Sequence, residues 1–572
     1  MRPAAFVAAN SSFRDGRGMD REFDFIVVGG GSAGCALASR LSENAASTVL
    51  LIEAGPDANP WQVRMPLAVD ALLTSTKYNW AFQSAAEPGL GGRVIEHPRG
   101  RVLGGSSAIN GMVYTRGNPQ DYDEWRDEHG CRGWGYADVL PYFIRMESTE
   151  SGDSRYRGRK GPLKVTKPRT KNPLNLAFLA AGEELGYPIT DDSNGPQHEG
   201  FAIAEQTIVN GQRNSTAAAY LSPAVRSRPN LTIASKTVVE RILFEGRRAS
   251  GVRCQSSEKA EVFKSRREII LSAGGVGSPH ILKLSGIGPA AELQEHGIAI
   301  VHDLKGVGAN LQDHLDLPIQ FTCKQPVSLK RSTEWPRKAF VGLNWFLLKG
   351  GVAASNQFEV TAYIRSRAGI SKPNLKFEFF PLSISHDNFK PYPQEAFQIH
   401  CTVETSYARG NLLLKSSNPN EAPSLNFNYL SDERDMQTFR EGVGLVRELV
   451  ASRAFDPYRG TEMDPGEAVK SREALDEWIR RRATTAFHIS GTCAMGRQDD
   501  PNAVIGPDLK VHGVEGLRVA DASIMPVVVT SNLNASAIMI GERAADFTLG
   551  RPQLSPSNEP YWVNPNWQTS QR

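Results

Sequence analysis

Gly29, Gly31 and Gly34 stand in the spacing G-x-G-x-x-G, between an apolar run, Phe23–Val28 (FDFIVV), and a helix-patterned stretch running from Ala33 through Ala36, Leu37 and Leu41. The first glycine permits a tight turn, the second lets a pyrophosphate approach the backbone, and the third lets helix and strand pack closely. The N-terminus of the following helix offers free N–H groups and a positive dipole end to phosphates. A second strand-like run, Thr48–Ile52 (TVLLI), leads into Glu53 and Ala54. An acid about 20 residues beyond the glycines is what a ribose diol requires. Glycines alone are turn punctuation; with strand, helix and acid in order they make a dinucleotide site from Gly29, Gly31, Ser32, Ala33, Gly34, Glu53 and Ala54. The pattern does not choose between FAD and NAD. Far downstream, His488 opens the segment HISGTCAMG. A neutral imidazole, with a reference pKa of about 6.5, can take a proton near neutral pH. A lone histidine after an aromatic residue is more often packed core than base.

The elements that position these residues begin with a βαβ unit. Arg266–Ala273 (RREIILSA) reads as another buried strand, followed by a glycine-rich turn and a helix near Pro279–Leu284. From about Pro318 to Glu477 alternating stretches such as Leu375–Phe380 and Asn411–Lys415 predict a large antiparallel sheet. A chain of 572 residues exceeds what one simple core fills, so two or more lobes are expected.

Further segments carry a family signature. Gly100–Asn110 reads GRVLGGSSAIN and continues GMVYTRG; Gly274–Gly288 reads GGVGSPHILKLSGIG; near the end come FHISGTCAMG, LRVADASIMP and NLNASAIMIGERAAD. In this order, from Phe23 to about Leu549, they resemble the glucose–methanol–choline (GMC) family of FAD oxidoreductases. Gly275 departs from the family's usual Ala, Ser, Thr or Pro. The resemblance implies an α/β fold: a Rossmann-type FAD-binding domain over 23–317 with loop insertions contributing to the substrate lobe, an antiparallel α+β substrate-binding domain over 318–477, and a return to the FAD domain over 478–549 carrying the catalytic His and Asn. A disordered leader (1–22) and a surface tail (550–572) flank them. It also implies that Arg101, Gly104, Gly105, Ser106, Asn110, Gly111, Met112 and Val113 lie against FAD. The same resemblance implies that Val239 contacts the adenine and that Asp521 and Ala522 line the pyrophosphate and ribityl chain. The second glycine loop suits this physically, since its N–H groups can meet anionic oxygens.

His488 matches the family's base, which turns an alcohol into an alkoxide-like hydride donor. Asn534 matches the second catalytic position, holds the substrate oxygen and also borders the cofactor. His97 stands where some relatives bond covalently to flavin; a non-covalent FAD is expected here. Within the family the chain resembles choline dehydrogenases, on MVYTRGNPQDYDEW, ASNQFE and the SNEPYWVNPNW tail. Aliphatic and aromatic alcohol dehydrogenases or oxidases are the alternative, and the photodecarboxylase branch, which lacks the base histidine, is disfavoured by His488. Glu359 and Trp80 are candidate substrate contacts, and a cationic substrate would need an aromatic cage, with Phe358, Tyr363 and Trp80 as candidates.

The composition excludes other classes. With 65 basic and 62 acidic residues the net charge of +3 gives no overall field for nucleic acid. The six cysteines form no C-x-x-C pair and no metal site is expected. No apolar run approaches the roughly 20 residues that span a bilayer; the nearest, Ala339–Leu348, is short and contains Asn344. The expected partners are a small alcohol and an electron acceptor left open between quinone, oxygen and others. The expected compartment is the cytoplasm, with peripheral contact at the inner membrane.

Overall fold

The computed structural model describes residues 22–256, 259–385 and 390–572; the expected leader, apart from Glu22, lies outside them. The elements that build the site begin with β1 (Glu22–Val28), α1 (Ser32–Leu41), β2 (Val49–Ile52), α2 (Pro173–Glu184) and β3 (Gly200–Ile203). There follow β4 (Leu231–Ala234), β5 (Thr237–Glu245), β6 (Arg248–Ser256), β7 (Ala260–Leu271), α3 (Gly274–Leu284), β8 (Leu315–Cys323), α4 (Arg337–Leu348) and β9 (Val360–Ile364). The last are β10 (Leu375–Phe380), β11 (Ala396–Val403), α5 (Glu433–Ala451), β12 (Arg459–Asp464), β13 (Thr484–Thr485), β14 (Leu517–Val519) and α6 (Asn534–Leu549).

The first sheet runs β4-β2-β1-β7-β6-β5, with β14 beside β7. Its centre is parallel, and β5, β6 and β7 pair antiparallel. The central strands are continuous apolar runs because both faces are covered: Phe25, Ile26, Val27 and residues 49–51 have no exposed surface. Register aligns Val28 with Ile52 and with Leu271. The turns after β1, β2 and β7 therefore emerge together at one edge, the carboxyl edge where open α/β sheets bind ligands.

The second sheet, β12-β8-β11-β10-β9-β3 with β13 on β8, is wholly antiparallel. Phe377, Phe379, Ile399 and Cys401 point into a core shared with Phe178 of α2 and Val443 and Val446 of α5. The alternating positions Lys376, Glu378, His400 and Thr402 point the other way, as the period of two demands. Lys376 is opposite Thr402, and Glu378 opposite His400.

The expected domain limits need correction. A boundary at 317/318 cuts β8, and β13, from the 478–549 segment, pairs with β8 in the second sheet; β3 is an insertion of the first domain in that sheet. Asn411–Leu413 belongs to a separate two-stranded sheet with Ser424–Asn426. The tail runs along the surface: Trp562 donates its backbone N–H to Pro196, and Tyr561 hydrogen-bonds Asp123.

Candidate active site

Between the two sheets lies a cavity of about 750 Å³. One end is walled by backbone. A Cβ on Gly31 meets no atom nearer than 3.9 Å, and one on Gly111 or Gly274 meets nothing within 4 Å. These peptide groups are bare toward the cavity. The glycines behind them serve packing: a Cβ on Gly34 lies 1.9 Å from the Gly29 carbonyl oxygen, and one on Gly105 lies 2.6 Å from Gly31 Cα. The two glycine loops thus touch, and no side chain fits between them.

Glu53, at the end of β2, accepts from the N–H groups of Gly30 (3.0 Å) and Gly55 (2.7 Å). Burial nevertheless pushes its carboxyl up to about 7, so it can accept from or donate to a hydroxyl. Asp521 accepts from Gly274 N–H at 2.9 Å, Ser278 Oγ at 2.5 Å and Ser523 N–H at 2.8 Å, tying the turn after β7 to residues 521–523. Bare backbone, a helix N-terminus and a ribose-type acid fit a dinucleotide cofactor of FAD type. Arg213, which carried no sequence signal, braces the second loop by donating to the carbonyls of Ser107 and Asn110 and to Asn110 Oδ1.

The other end is walled by side chains. Phe487 has φ +66°, a left-handed turn that carries the chain into His488, whose backbone N–H is held by Asp313 at 2.6 Å. The same aspartate accepts from Tyr429 and Thr485. The His488 ring has two neighbours: His314 Nδ1 lies 2.9 Å from its Nδ1, and Asn532 Nδ2 lies 3.2 Å from its Nε2. Lys376 Nζ donates to Asn532 Oδ1 at 2.7 Å and meets Glu378 at 2.7 Å.

These contacts assign the proton. The amide oxygen is taken by the lysine, so its NH₂ faces His488; an amide N–H only donates, so Nε2 is the unprotonated nitrogen. Nδ1 then carries the hydrogen, donated to His314. Burial, then the neighbouring His314 and the Lys376 cation, hold the His488 pKa well below the ordinary imidazole value, keeping it a free base at neutral pH. His314 is pushed down to about 3 and the nearby Glu404 up to about 8, both mainly by burial, so their 3.4 Å contact at pH 7 joins two neutral groups.

Of the residues singled out in the sequence, His488, Asn534, Gly29, Gly31, Ser32, Ala33, Glu53, Ala54, Trp80 and Arg101 line the cavity. So do Gly105, Ser106, Asn110, Gly111, Met112, Val113, Val239, Asp521 and Ala522. Gly34 and Gly104 stand behind the wall. Three expectations change. The asparagine facing His488 is Asn532; Asn534, first residue of α6, accepts instead from Ser32 Oγ at 2.8 Å. Glu359 is outside the cavity wall, its carboxylate taken by Ser355 and Asn175. Tyr363 is also outside, packed on His198 and bonded to Ser531, so the three aromatic candidates do not converge. His97 is buried against Phe427, ring centroids 4.4 Å apart, and does not reach the wall. At Gly275 a Cβ lies 2.9 Å from the Ile489 carbonyl oxygen, which accounts for glycine there.

The sequence reading passed over Asn532, Lys376, Glu378, His314 and Asp313. The S-N-L-N stretch offered two asparagines two residues apart, and only the start of α6 separates them. The other four lie in strands or turns with no motif.

Residues 23–316 and 406–541 match the GMC oxidoreductases. Over 552 residues the chain is 48% identical to an oxygen-dependent choline dehydrogenase of Brucella suis, covering 96% of this chain and 100% of that one. It is 45% identical to one of Photobacterium profundum, covering 97% and 98%. Among solved structures, pyridoxine 4-oxidase from Mesorbium loti superimposes with a TM-score of 0.85 at 31% identity, over 93% of this chain and 100% of that one. The chain belongs to the GMC oxidoreductase family and is an FAD-dependent oxidoreductase acting on CH–OH donors.

Proposed function

We propose that the cavity oxidises a small primary alcohol to its aldehyde, with His488 Nε2 as the base and Asn532 as the group that holds the substrate oxygen. The observation that carries this is the unprotonated Nε2 beside the Asn532 amide, 3.2 Å apart on the cavity wall. A hydroxyl placed there gives its proton to Nε2 and accepts from the amide. FAD, when bound, supplies the hydride acceptor. It is held non-covalently, with Gly31 and the second glycine loop at its diphosphate, Glu53 at its ribose and Val239 at its adenine.

Choline is the favoured substrate. The relatives named choline dehydrogenases support it, and so do Glu378 and Phe358, a carboxylate and an aromatic face on the far wall. Glu378 takes the role first expected of Glu359. The polar wall of Asp316, Lys376, Glu378, His400 and Thr402 gives a long alkyl chain nothing to pack on. We place the enzyme in the cytoplasm, peripheral to the inner membrane, passing electrons to oxygen or a quinone. Anaerobic flavin reduction against choline, medium-chain alkanols and aromatic alcohols tests the reading; failure of every alcohol to bleach the flavin refutes it.

A further inference from the structure

Helix α4 and the turn before it carry the most exposed large apolar side chains of the described residues: Trp335 is 83% exposed, Leu348 77%, Leu347 71% and Phe340 66%. Leu343 and Phe346 add to the same surface. Trp345 faces inward, packs with Met65 and Ala353, and donates its indole N–H to the Gly211 carbonyl at 2.7 Å. The helix is thus anchored by Trp345, with Val341 beside it, while much of its apolar face stands out from the molecule. Arg337, Lys338 and Lys349 flank that face, while Lys330 is paired with Glu334 at 2.6 Å and Arg331 with Glu395 at 3.8 Å. Phe346 packs on Trp61, ring centroids 5.6 Å apart, and the chain beyond Trp61 leads to Val69, Asp70 and Leu73 on the cavity wall. The patch therefore adjoins the rim of the cavity.

We propose that α4 and its flanks dock the enzyme on an anionic phospholipid bilayer, apolar side chains in the acyl boundary and the cations led by exposed Arg337 and Lys338 among headgroups. An apolar face ringed by lysine and arginine is the pattern of an interfacial helix. A second copy fits worse, since a two-fold contact sets each cationic rim against the other. The test is cosedimentation of the holoenzyme with phosphatidylcholine vesicles, with and without phosphatidylglycerol. The expected result is binding that requires phosphatidylglycerol and falls at least about tenfold in Phe340→Ser/Leu347→Ser/Leu348→Ser and in Arg337→Glu/Lys338→Glu. Flavin content and reduction by alcohol, read on the same preparations, report fold and chemistry separately. Absence of vesicle binding, binding indifferent to both variants, or a dimer dissolved by the apolar variant overturns the proposal.

An independent observation concerns Lys376. Its Nζ–Oδ1 bond decides which end of the Asn532 amide meets His488. We infer that Lys376 is a positioning residue that fixes this orientation and keeps His488 unprotonated at Nε2; this rests on His488 as base. In Lys376→Met the amide is free to turn and a cation beside His488 is gone, so the acid limb of flavin reduction moves to higher pH and the rate falls roughly 10- to 100-fold. Lys376→Arg restores the limb. A readout free of turnover is the ¹⁵N spectrum of the His488 ring, in which Lys376→Met raises the titration midpoint and weakens the Nδ1–H tautomer. An unchanged limb and an unchanged spectrum overturn the assignment; if no alcohol reduces the wild type, the spectrum alone decides.

Discussion

At the β1 end of the cavity the wall is peptide backbone: at Gly31, Gly111 and Gly274 no side chain covers the chain. At the β10 end it is side chains, with Asp316, Lys376, Glu378, His400, His488 and Asn532 arriving from five separate segments. The first end recognises by shape and permits no added atom. The second is electrostatic, and each charge in it depends on a neighbour. Asp316 is held ionised by His400, at 2.6 Å, and Lys376 by Glu378. Breaking such a buried pair costs about 3–5 kcal/mol, because a charge is left without a partner. The first end should therefore fail by losing its ligand, the second by losing rate, selectivity or stability while the ligand stays.

The largest expected effect breaks the first end alone. Gly31 has φ −83°, open to any residue, and no protein atom lies within 3.9 Å of its Cβ position. Gly31→Leu should fold yet purify without FAD, read from the ratio of flavin to protein absorbance. Full flavin content would falsify the backbone cradle.

His488→Ala should keep FAD and slow anaerobic flavin reduction by roughly 10²–10⁴-fold, the range of a lost general base. Asn532→Ala should cost on the order of 10²-fold through a misplaced substrate oxygen. Asn534→Ala, which loses only the Ser32 contact, should cost less; a larger loss for Asn534 than for Asn532 would return the catalytic role to the helix residue. Glu378→Gln should raise the KM for choline about tenfold, the scale of one exposed-to-buried charge contact, and Glu359→Gln should leave it unchanged.

The smallest effect is in pH. The active His488 is the neutral form, and its folded pKa lies well below 6.5. The rate of flavin reduction should thus be flat from neutral pH upward and fall only in acid. A group whose charged form is disfavoured by folding also makes stability fall as pH drops below its unfolded value of about 6.5. Thermal melts should show acid-side loss, smaller in His488→Ala.

How much of this was legible depended on how each end is made. The cofactor end is contiguous: strand, glycines, helix and acid lie within residues 23–54, and the spacing follows from the turn geometry itself. His488 stood out through its segment, not through its own surroundings. The limit at 317/318 falls inside β8, and β13 joins the second sheet from far along the chain, because alternation marks a strand without naming its ends or its partner.

The sequence by itself marked out the βαβ unit, the acid at the end of β2, the family and the segment that His488 opens, since each rests on local backbone geometry or on a run of neighbouring residues. Only the tertiary structure decided that Asn532 rather than Asn534 meets His488, that Glu378 rather than Glu359 faces the cavity, and that Lys376 sets the amide. The reason is that α6 begins at Asn534, so the asparagine two residues before it escapes the helix, and that β10 directs every second side chain inward. A one-residue slip of β10 would turn Lys376 and Glu378 away from the cavity, and no composition or spacing records the register.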